Sequence, residues 1–170
     1  RDIIPSPQVK TYDMAPEMSA DLITQEVVKA LDSGKYDVIL LNYANADMVG
    51  HTGNYEATLK GVTAVDRGLG VIAQHVLAKN GMLLITADHG NAEEVTNVQT
   101  GERDKEHSTN PVPFIIVSKA LRGQAGPVGD PPDGDLSLMR PVGMLGDVSP
   151  TILKLLGIEQ PEEMTGRPLL

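Results

Sequence analysis

The chain contains no cysteine and no tryptophan, and it has a single phenylalanine. Without cysteine it forms no disulfide and carries out no thiol redox chemistry, which fits a reducing cytoplasm. Because aromatic residues make up only 3% of the chain, we expect a core of Val, Ile, Leu, Ala and Met. No apolar run approaches the roughly 20 residues that a membrane-spanning helix needs. Residues 1–5 show neither a signal peptide nor an initiator Met, which indicates a piece of a longer or processed protein.

Basic residues are also scarce, since 14 Lys and Arg stand against 23 Asp and Glu and give a net charge of −9. Such an acidic surface argues against nucleic acid and against an anionic membrane as partners. An anionic substrate would therefore need a local source of positive charge, and bound metal ions supply one. The 170 residues, 41% of them hydrophobic, suffice for one domain with a core of its own.

Apolar residues recur at helical spacing in three segments and form continuous runs in three others. The predicted helices cover residues 20–31 after a capping Ser19, residues 55–79 after a capping Asn54, and residues 151–156 after a capping Ser149. The predicted strands cover residues 36–43, 82–86 and 113–117. Strands that alternate with helices predict an α/β fold with a mostly parallel sheet and helices on both faces.

Three less regular segments complete the predicted organisation. Residues 1–18 are rich in Pro and polar residues and indicate an extended linker ahead of the domain at 19–170. Residues 91–110 indicate a hairpin or loop with a turn at 100–102. Residues 121–139, dense in Gly, Pro and Asp, indicate a surface loop with or without a short edge strand.

Asp47 and His51 follow the first predicted strand and stand four residues apart. If the loop curls into a helical turn, the two side chains can converge on one ion. The alternative is a loop Asp that caps backbone amides beside a surface His. Because two-residue motifs arise often by chance, this pair alone leaves both interpretations open.

Asp88 and His89 follow the second predicted strand, and His107 precedes the third. Adjacent residues can share a metal only in a bent segment, which Gly90 permits. The alternatives are a turn Asp that orients His89, and an exposed His107. Asp47, His51 and His107 together would form a three-ligand site with open positions, as catalytic metal sites do.

Two ions about 3.5–4 Å apart would clamp a transferring phosphoryl group. Lys10, Arg103 and Lys105 are candidate phosphate contacts, with solvated surface charge as the alternative. His75 lies within a predicted helix, and we expect a surface residue without a role. No Ser or Thr has the surroundings of a nucleophile.

Three long strings resemble the cofactor-independent (2,3-bisphosphoglycerate-independent) phosphoglycerate mutases of the alkaline phosphatase superfamily. They are NYANADMVGHTG at 42–53, ADHGNAE at 87–93 and HSTNPVP at 107–113, with support from PEMS at 16–19, DVSPT at 147–151 and MTG at 164–166. The resemblance implies an alkaline-phosphatase-like fold. It also implies an isomerase of glycolysis and gluconeogenesis that interconverts 3-phosphoglycerate and 2-phosphoglycerate through a phosphoserine, located in the cytoplasm and monomeric at full length.

The resemblance further implies two divalent ions, Mn²⁺ above all, with Mg²⁺, Co²⁺ or Zn²⁺ as substitutes. By resemblance, Asp47, His51 and His107 bind the first ion, and Asp88 and His89 bind the second.

The family takes its nucleophilic Ser, a further Asp ligand and its substrate-binding arginines from segments that this sequence does not contain. We therefore expect the C-terminal part of the phosphatase-like domain, with an incomplete sheet and an exposed edge, inactive alone. Gln8 stands where the family usually has a phosphate-contacting Lys, and Lys10, two residues on, faces the same way in a strand. The alternative functions are another phosphatase, phosphodiesterase or phosphopentomutase of the superfamily, or a non-catalytic module.

Overall fold

The computed structural model describes residues 1–97, 100–124, 129 and 138–170. Its helices are α1 (Ala20–Ser33), α2 (Asn45–Gly50), α3 (Tyr55–Ala78) and α4 (Val148–Leu156), its strands are β1 (Met82–Thr86) and β2 (Phe114–Ser118), and short 3₁₀ helices cover Tyr12–Met14 and Leu145–Asp147. These residues divide into two compact units, Arg1–Arg122 and Gly123–Leu170. The predicted boundary between residues 18 and 19 stays a prediction. No described helix is long and apolar enough to cross a membrane.

Helix α1 confirms its prediction, and it ends at Gly34, which has a left-handed φ of 63°. Glycine adopts that conformation without the steric cost of a Cβ. The predicted cap is wrong, because the Ser19 hydroxyl makes no cap hydrogen bond and donates instead to the carbonyl of Pro5 at 2.7 Å. That bond ties the N-terminal segment to the start of α1.

Helix α3 also confirms its prediction, and here the cap is present. The side chain of Asn54 accepts a hydrogen bond from the backbone N–H of Ala57 at 3.2 Å. Val27 of α1 packs with Ile72 and Val76 of α3 in the buried core of the first unit. Partly buried side chains complete this core: Ile23, Leu31, Ile39, Leu41, Tyr43 and Leu83.

The two strands pair in antiparallel orientation, with Met82 opposite Ser118. The prediction of a parallel sheet is therefore wrong for this pair. Among the described residues, β1 and β2 make up a two-stranded sheet. Parallel neighbours need a crossover, usually through a helix. Here the chain instead leaves β1 and returns to β2 through a hairpin-like excursion, in which Gly90 and Ser108 form a further antiparallel bridge. The predicted helix layers on both faces stay a prediction.

The tip of this excursion confirms the predicted turn at 100–102. Gly101 has a φ of 71°, and its N–H donates to the carbonyl of Asn97 at 2.8 Å. Thr96 and Arg103 form an antiparallel bridge across the excursion below the turn.

Residues 36–43 do not form the predicted strand. Ile39 and Leu41 pack against the core, whereas Val38 is 55% exposed and Leu40 is 94% exposed. The apolar run predicted a segment covered on both faces, which is wrong for the face that carries Val38 and Leu40. The strand prediction is wrong because, among the described residues, no neighbouring strand forms a ladder with it.

In the second unit, α4 begins at Val148, earlier than predicted, so Ser149 lies inside the helix and is not its cap. Asp147, only 2% exposed, precedes the helix. Its carboxylate accepts hydrogen bonds from the backbone N–H groups of Arg167 at 2.8 Å and Met144 at 2.9 Å. These bonds lower the pKa of Asp147. Most of the predicted loop at 121–139, with its alternative edge strand, lies outside the described residues.

Candidate metal centre

Helix α2 supplies the helical turn on which the Asp47 and His51 prediction depended. The His51 Nε2 lies 3.1 Å from the Asp47 Oδ1. The helix is anchored by Asn45, which is 1% exposed and donates to the carbonyls of Pro16 and Glu17, each at 2.9 Å. A spacing of four residues in a helix places two side chains on the same face. The sequence therefore brings this pair together through local structure alone.

Two further histidines reach the same carboxylate oxygen from the loops that flank the sheet. The Nε2 of His107 lies 3.1 Å from the Asp47 Oδ1 and 3.1 Å from the His51 Nε2. The Nε2 of His89 lies 3.9 Å from the same Asp47 oxygen. His89 follows β1 and His107 precedes β2, so the antiparallel pairing delivers both to one end of the sheet. Four of the five predicted ligands thus share one cluster.

The fifth predicted ligand, Asp88, lies at the rim of this cluster. Its Oδ1 is 3.7 Å from the His89 Nε2, but its side chain is 85% exposed. Lys10 is exposed and makes no described contact with the cluster. His75 lies apart from the cluster on α3, and its Nδ1 is 3.4 Å from the Asp32 Oδ1. This position agrees with the prediction of a helix-surface residue.

Backbone carbonyls orient two of the imidazole rings. The Nδ1 of His51 donates to the carbonyl of Lys105 at 2.5 Å, and the Nδ1 of His89 donates to the carbonyl of Gly90 at 3.3 Å. A carbonyl only accepts, so each Nδ1 carries a hydrogen and each ring turns its Nε2 toward Asp47. Histidine ligands of metals are commonly held by this arrangement.

The donor set fits a divalent cation. Bonds of about 2.0–2.2 Å to one ion place its ligand atoms roughly 3.0–3.5 Å apart, and the three 3.1 Å separations among Asp47, His51 and His107 lie in that range. Imidazole nitrogens and a carboxylate oxygen suit Zn²⁺, Mn²⁺ and related ions. Without a cation or a shared proton, lone pairs would face one another at these distances.

Two residues were not singled out from the sequence: Asn91, which contacts this cluster, and Glu93, which contacts Asn91. Asn91 is 5% exposed, and its Nδ2 donates to the Asp47 Oδ1 at 2.9 Å. The Glu93 carboxylate accepts from the backbone N–H of Asn91 at 2.8 Å and from the side chains of Ser108 and Asn110. Burial raises the pKa of Glu93, but these hydrogen bonds outweigh it and hold the pKa below its ordinary value. Both residues lie inside the ADHGNAE string, which was the only signal available.

Comparison with known proteins identifies the family. The model of the metalloenzyme superfamily matches residues 1–160. The chain belongs to this superfamily. Two curated relatives match all of the chain: the 2,3-bisphosphoglycerate-independent phosphoglycerate mutase of Clostridium kluyveri at 47% identity over 170 residues, and phosphoglycerate mutase 2 of the same type from Methanosarcina barkeri at 51% over 174 residues. The chain spans 30% of the length of each.

A solved structure agrees with these sequence matches. A crystal structure of Leishmania mexicana phosphoglycerate mutase at low cobalt concentration superposes with a TM-score of 0.77 and 33% sequence identity. The match covers 96% of this chain and 30% of that chain. The resemblance inferred from the motifs is confirmed, and so is the α/β class of an incomplete, phosphoglycerate-mutase-like domain.

Proposed function

We propose that this chain is the metal-binding part of a cofactor-independent phosphoglycerate mutase that interconverts 3-phosphoglycerate and 2-phosphoglycerate. The observation that carries the proposal is the convergence of three imidazole Nε2 atoms on the single Asp47 Oδ1, with two of them 3.1 Å away. Similarity to curated mutases along the whole chain supports it. We further propose a cytoplasmic enzyme that is monomeric at full length and binds neither nucleic acid nor membrane.

Asp47, His51 and His107 would hold one divalent ion, and Asp88 and His89 would hold a second, Mn²⁺ in both cases. Divalent ions at these positions would neutralise phosphoryl oxygens and lower the pKa of an attacking hydroxyl. Supporting this assignment, the His89 Nε2 lies farther from the Asp47 Oδ1, at 3.9 Å, than the Nε2 atoms of His51 and His107, at 3.1 Å. The Lys105 and Gly90 carbonyls would hold the rings of His51 and His89 by their Nδ1 atoms, so that the Nε2 atoms face the proposed ions.

The remaining parts of the reaction are proposed to come from elsewhere. The phosphorylated serine, a further Asp ligand and the substrate-binding arginines would lie in segments that precede this sequence in the full-length protein. Lys10 would contact a substrate phosphate in place of the Lys expected at Gln8. The chain alone would then bind metal without catalysing the mutase reaction.

Calorimetric titration of the metal-free chain with Mn²⁺, together with assays of the full-length protein on 3-phosphoglycerate and on a panel of phosphomonoesters and phosphodiesters, tests the proposal. We expect two bound ions on the chain, mutase activity of the full-length protein, and none from the chain alone. Preferred turnover of another phosphate ester would favour a different phosphatase-superfamily enzyme. Absence of Mn²⁺ binding together with unchanged folding would favour a non-catalytic module.

A further inference from the structure

Two histidines of the cluster, His89 and His107, lie on two loops, residues 87–94 after β1 and residues 103–110 before β2. The carboxylate of Glu93 joins these loops through two hydrogen bonds, whereas that of Glu94 makes one longer contact between them. The Glu93 Oε2 accepts from the backbone N–H of Asn91 at 2.8 Å, while its Oε1 accepts from the Ser108 hydroxyl and from the Asn110 Nδ2 at 3.1 Å. We call these four residues, Glu93, Asn91, Ser108 and Asn110, the loop clamp.

Members of the loop clamp are next to three of the candidate ligands. Ser108 directly follows His107, and its N–H donates to the carbonyl of Gly90, the residue after His89, at 2.9 Å. Asn91 reaches the third ligand, since its Nδ2 donates to the Asp47 Oδ1 at 2.9 Å. A shift of Glu93 would therefore be transmitted to both loops and to the carboxylate at the centre of the cluster.

Two glycines provide the space that the loop clamp occupies. A methyl group at Gly90 would collide with the Ser108 hydroxyl and the Glu93 Oε1, and one at Gly50 would collide with the Asn91 side chain. The backbones of α2 and of the loop after β1 thus approach the clamp too closely for any other residue. This close packing leaves Asn91 and Glu93 little freedom to change rotamer.

We propose that Glu93 is a positioning residue of the metal centre, which fixes the spacing of His89 and His107 and, through Asn91, aims the Asp47 Oδ1 at the ion. The inference rests on the proposed metal-binding function. Groups that orient metal ligands commonly change metal affinity by about 10–100-fold when they are replaced.

The neighbouring Glu94 provides a matched control. Its carboxylate accepts from the Asn110 Nδ2 at 3.3 Å and contacts neither Asn91 nor Ser108 in the described structure. Glu93→Gln and Glu94→Gln remove the same charge one residue apart. Glu93 makes two hydrogen bonds to the second loop and one to Asn91, whereas Glu94 makes the single 3.3 Å bond to Asn110, so the first substitution disturbs the link between the loops more than the second.

The experiment titrates the metal-free chain and both variants with Co²⁺ and follows the visible absorption of bound cobalt, which reports on ligand geometry. NMR of the metal-free proteins follows the imidazole Cε1–H signals of His89 and His107, whose stacked rings shift each other's resonances. We expect Glu93→Gln to weaken Co²⁺ binding about 10–100-fold, to alter the cobalt spectrum and to move both signals. Glu94→Gln should change Co²⁺ affinity less than about threefold.

Ser108→Ala removes one donor of the loop clamp and should change Co²⁺ affinity in the same direction as Glu93→Gln. It replaces Glu93→Gln in the experiment if that variant does not fold.

Equal cobalt affinities and spectra for the wild type, Glu93→Gln and Ser108→Ala would overturn the inference while leaving the proposed function intact. Equal losses in Glu93→Gln and Glu94→Gln would overturn it too, because they would indicate an effect of charge alone. A wild-type chain that binds no Co²⁺ would overturn both this inference and the proposed metal centre.

Discussion

His89 and His107 stack with their ring centroids 3.8 Å apart and their planes inclined by 23°. They belong to different loops and meet because β1 and β2 run in opposite directions. The stack places the His107 Nε2 against the Asp47 Oδ1 and the His89 Nε2 within 3.9 Å of it. The antiparallel pair is therefore the element of the fold that brings His89 and His107 together at the candidate metal centre.

The two proposed ions should differ in how strongly they depend on this chain. Asp47→Ala removes the oxygen that three histidines surround, whereas Asp88→Ala removes an 85% exposed side chain at the rim. Because a site with more ligands from the chain binds more tightly, we expect Asp47→Ala to abolish the tighter Mn²⁺ site and Asp88→Ala to affect only the weaker one. Calorimetric stoichiometry and affinity check this, and equal losses in the two variants would contradict it.

Two glycines in α3 should respond oppositely to the same substitution. A Cβ at Gly68 would lie 2.6 Å from the Thr24 Oγ1 and 2.7 Å from the Tyr43 hydroxyl oxygen, while one at Gly70 would meet nothing within 4 Å. We expect Gly70→Ala to stabilise the chain by about 0.5–1 kcal/mol through helix propensity. Gly68→Ala should destabilise it by roughly 1–3 kcal/mol through overpacking. Urea unfolding measures both, and stabilisation by Gly68→Ala would refute the close approach of α1 and residue 43 to α3.

In the segment 36–43, the effect of a polar substitution on the free energy of unfolding should alternate from one residue to the next. Ile39 packs against the core, but Leu40 is 94% exposed. Ile39→Ser is expected to cost about 2–4 kcal/mol of unfolding free energy through the lost burial of its side chain. Leu40→Ser should change it by less than about 0.5 kcal/mol. A similar cost for the two variants, measured by chemical denaturation, would mean that Leu40 is covered in solution.

The second unit should lose a local contact in acid. Hydrogen bonds from the N–H groups of Arg167 and Met144 depress the pKa of Asp147 below its ordinary value. The ionised carboxylate therefore contributes stability fully above about pH 4, the unfolded pKa, and this is lost as pH falls through the lower folded pKa. The protection of the Arg167 amide against hydrogen exchange, relative to its intrinsic rate at each pH, should fall over that window in the wild type.

Asp147→Asn is the matched variant for this titration, because it keeps the shape of the side chain but cannot ionise. It should show faster Arg167 exchange already at neutral pH, and the difference from the wild type should shrink below about pH 4. A gap that stays constant from about pH 7 to pH 2 would exclude a role for the Asp147 charge.

The sequence predicts local structure in this chain better than pairing. Helices α1 and α3 could be predicted from the spacing of their apolar residues and from Gly34 and Asn54 at their ends, because these signals act within a few helical turns. The apolar run at 36–43 predicted a strand covered on both faces. Whether such a segment joins a sheet depends on a neighbouring strand, which the run itself does not specify. The direction of β1 relative to β2 was predicted wrongly for the same reason, since the composition of the two strands does not specify their orientation.

The residues of the candidate site likewise fall into those that local spacing brings together and those that depend on strand pairing. Asp47 and His51 could be placed together from their spacing in a helical turn. His89 could not be placed against His107, because that contact depends on the antiparallel hairpin. Asn91 and Glu93 escaped notice because an amide and a carboxylate in a loop have many ordinary uses, and only the three-dimensional arrangement shows which groups they hold.

The hydrogen bond from His51 to position 105 uses the main-chain oxygen of Lys105, not its side chain. Every amino acid supplies that oxygen, so replacing the lysine leaves the acceptor in place and with it the location of the proton on the imidazole. The tautomer of His51 is in this way insulated from point mutation at the residue that sets it. Only a displacement of the loop itself could switch which nitrogen faces the Asp47 carboxylate.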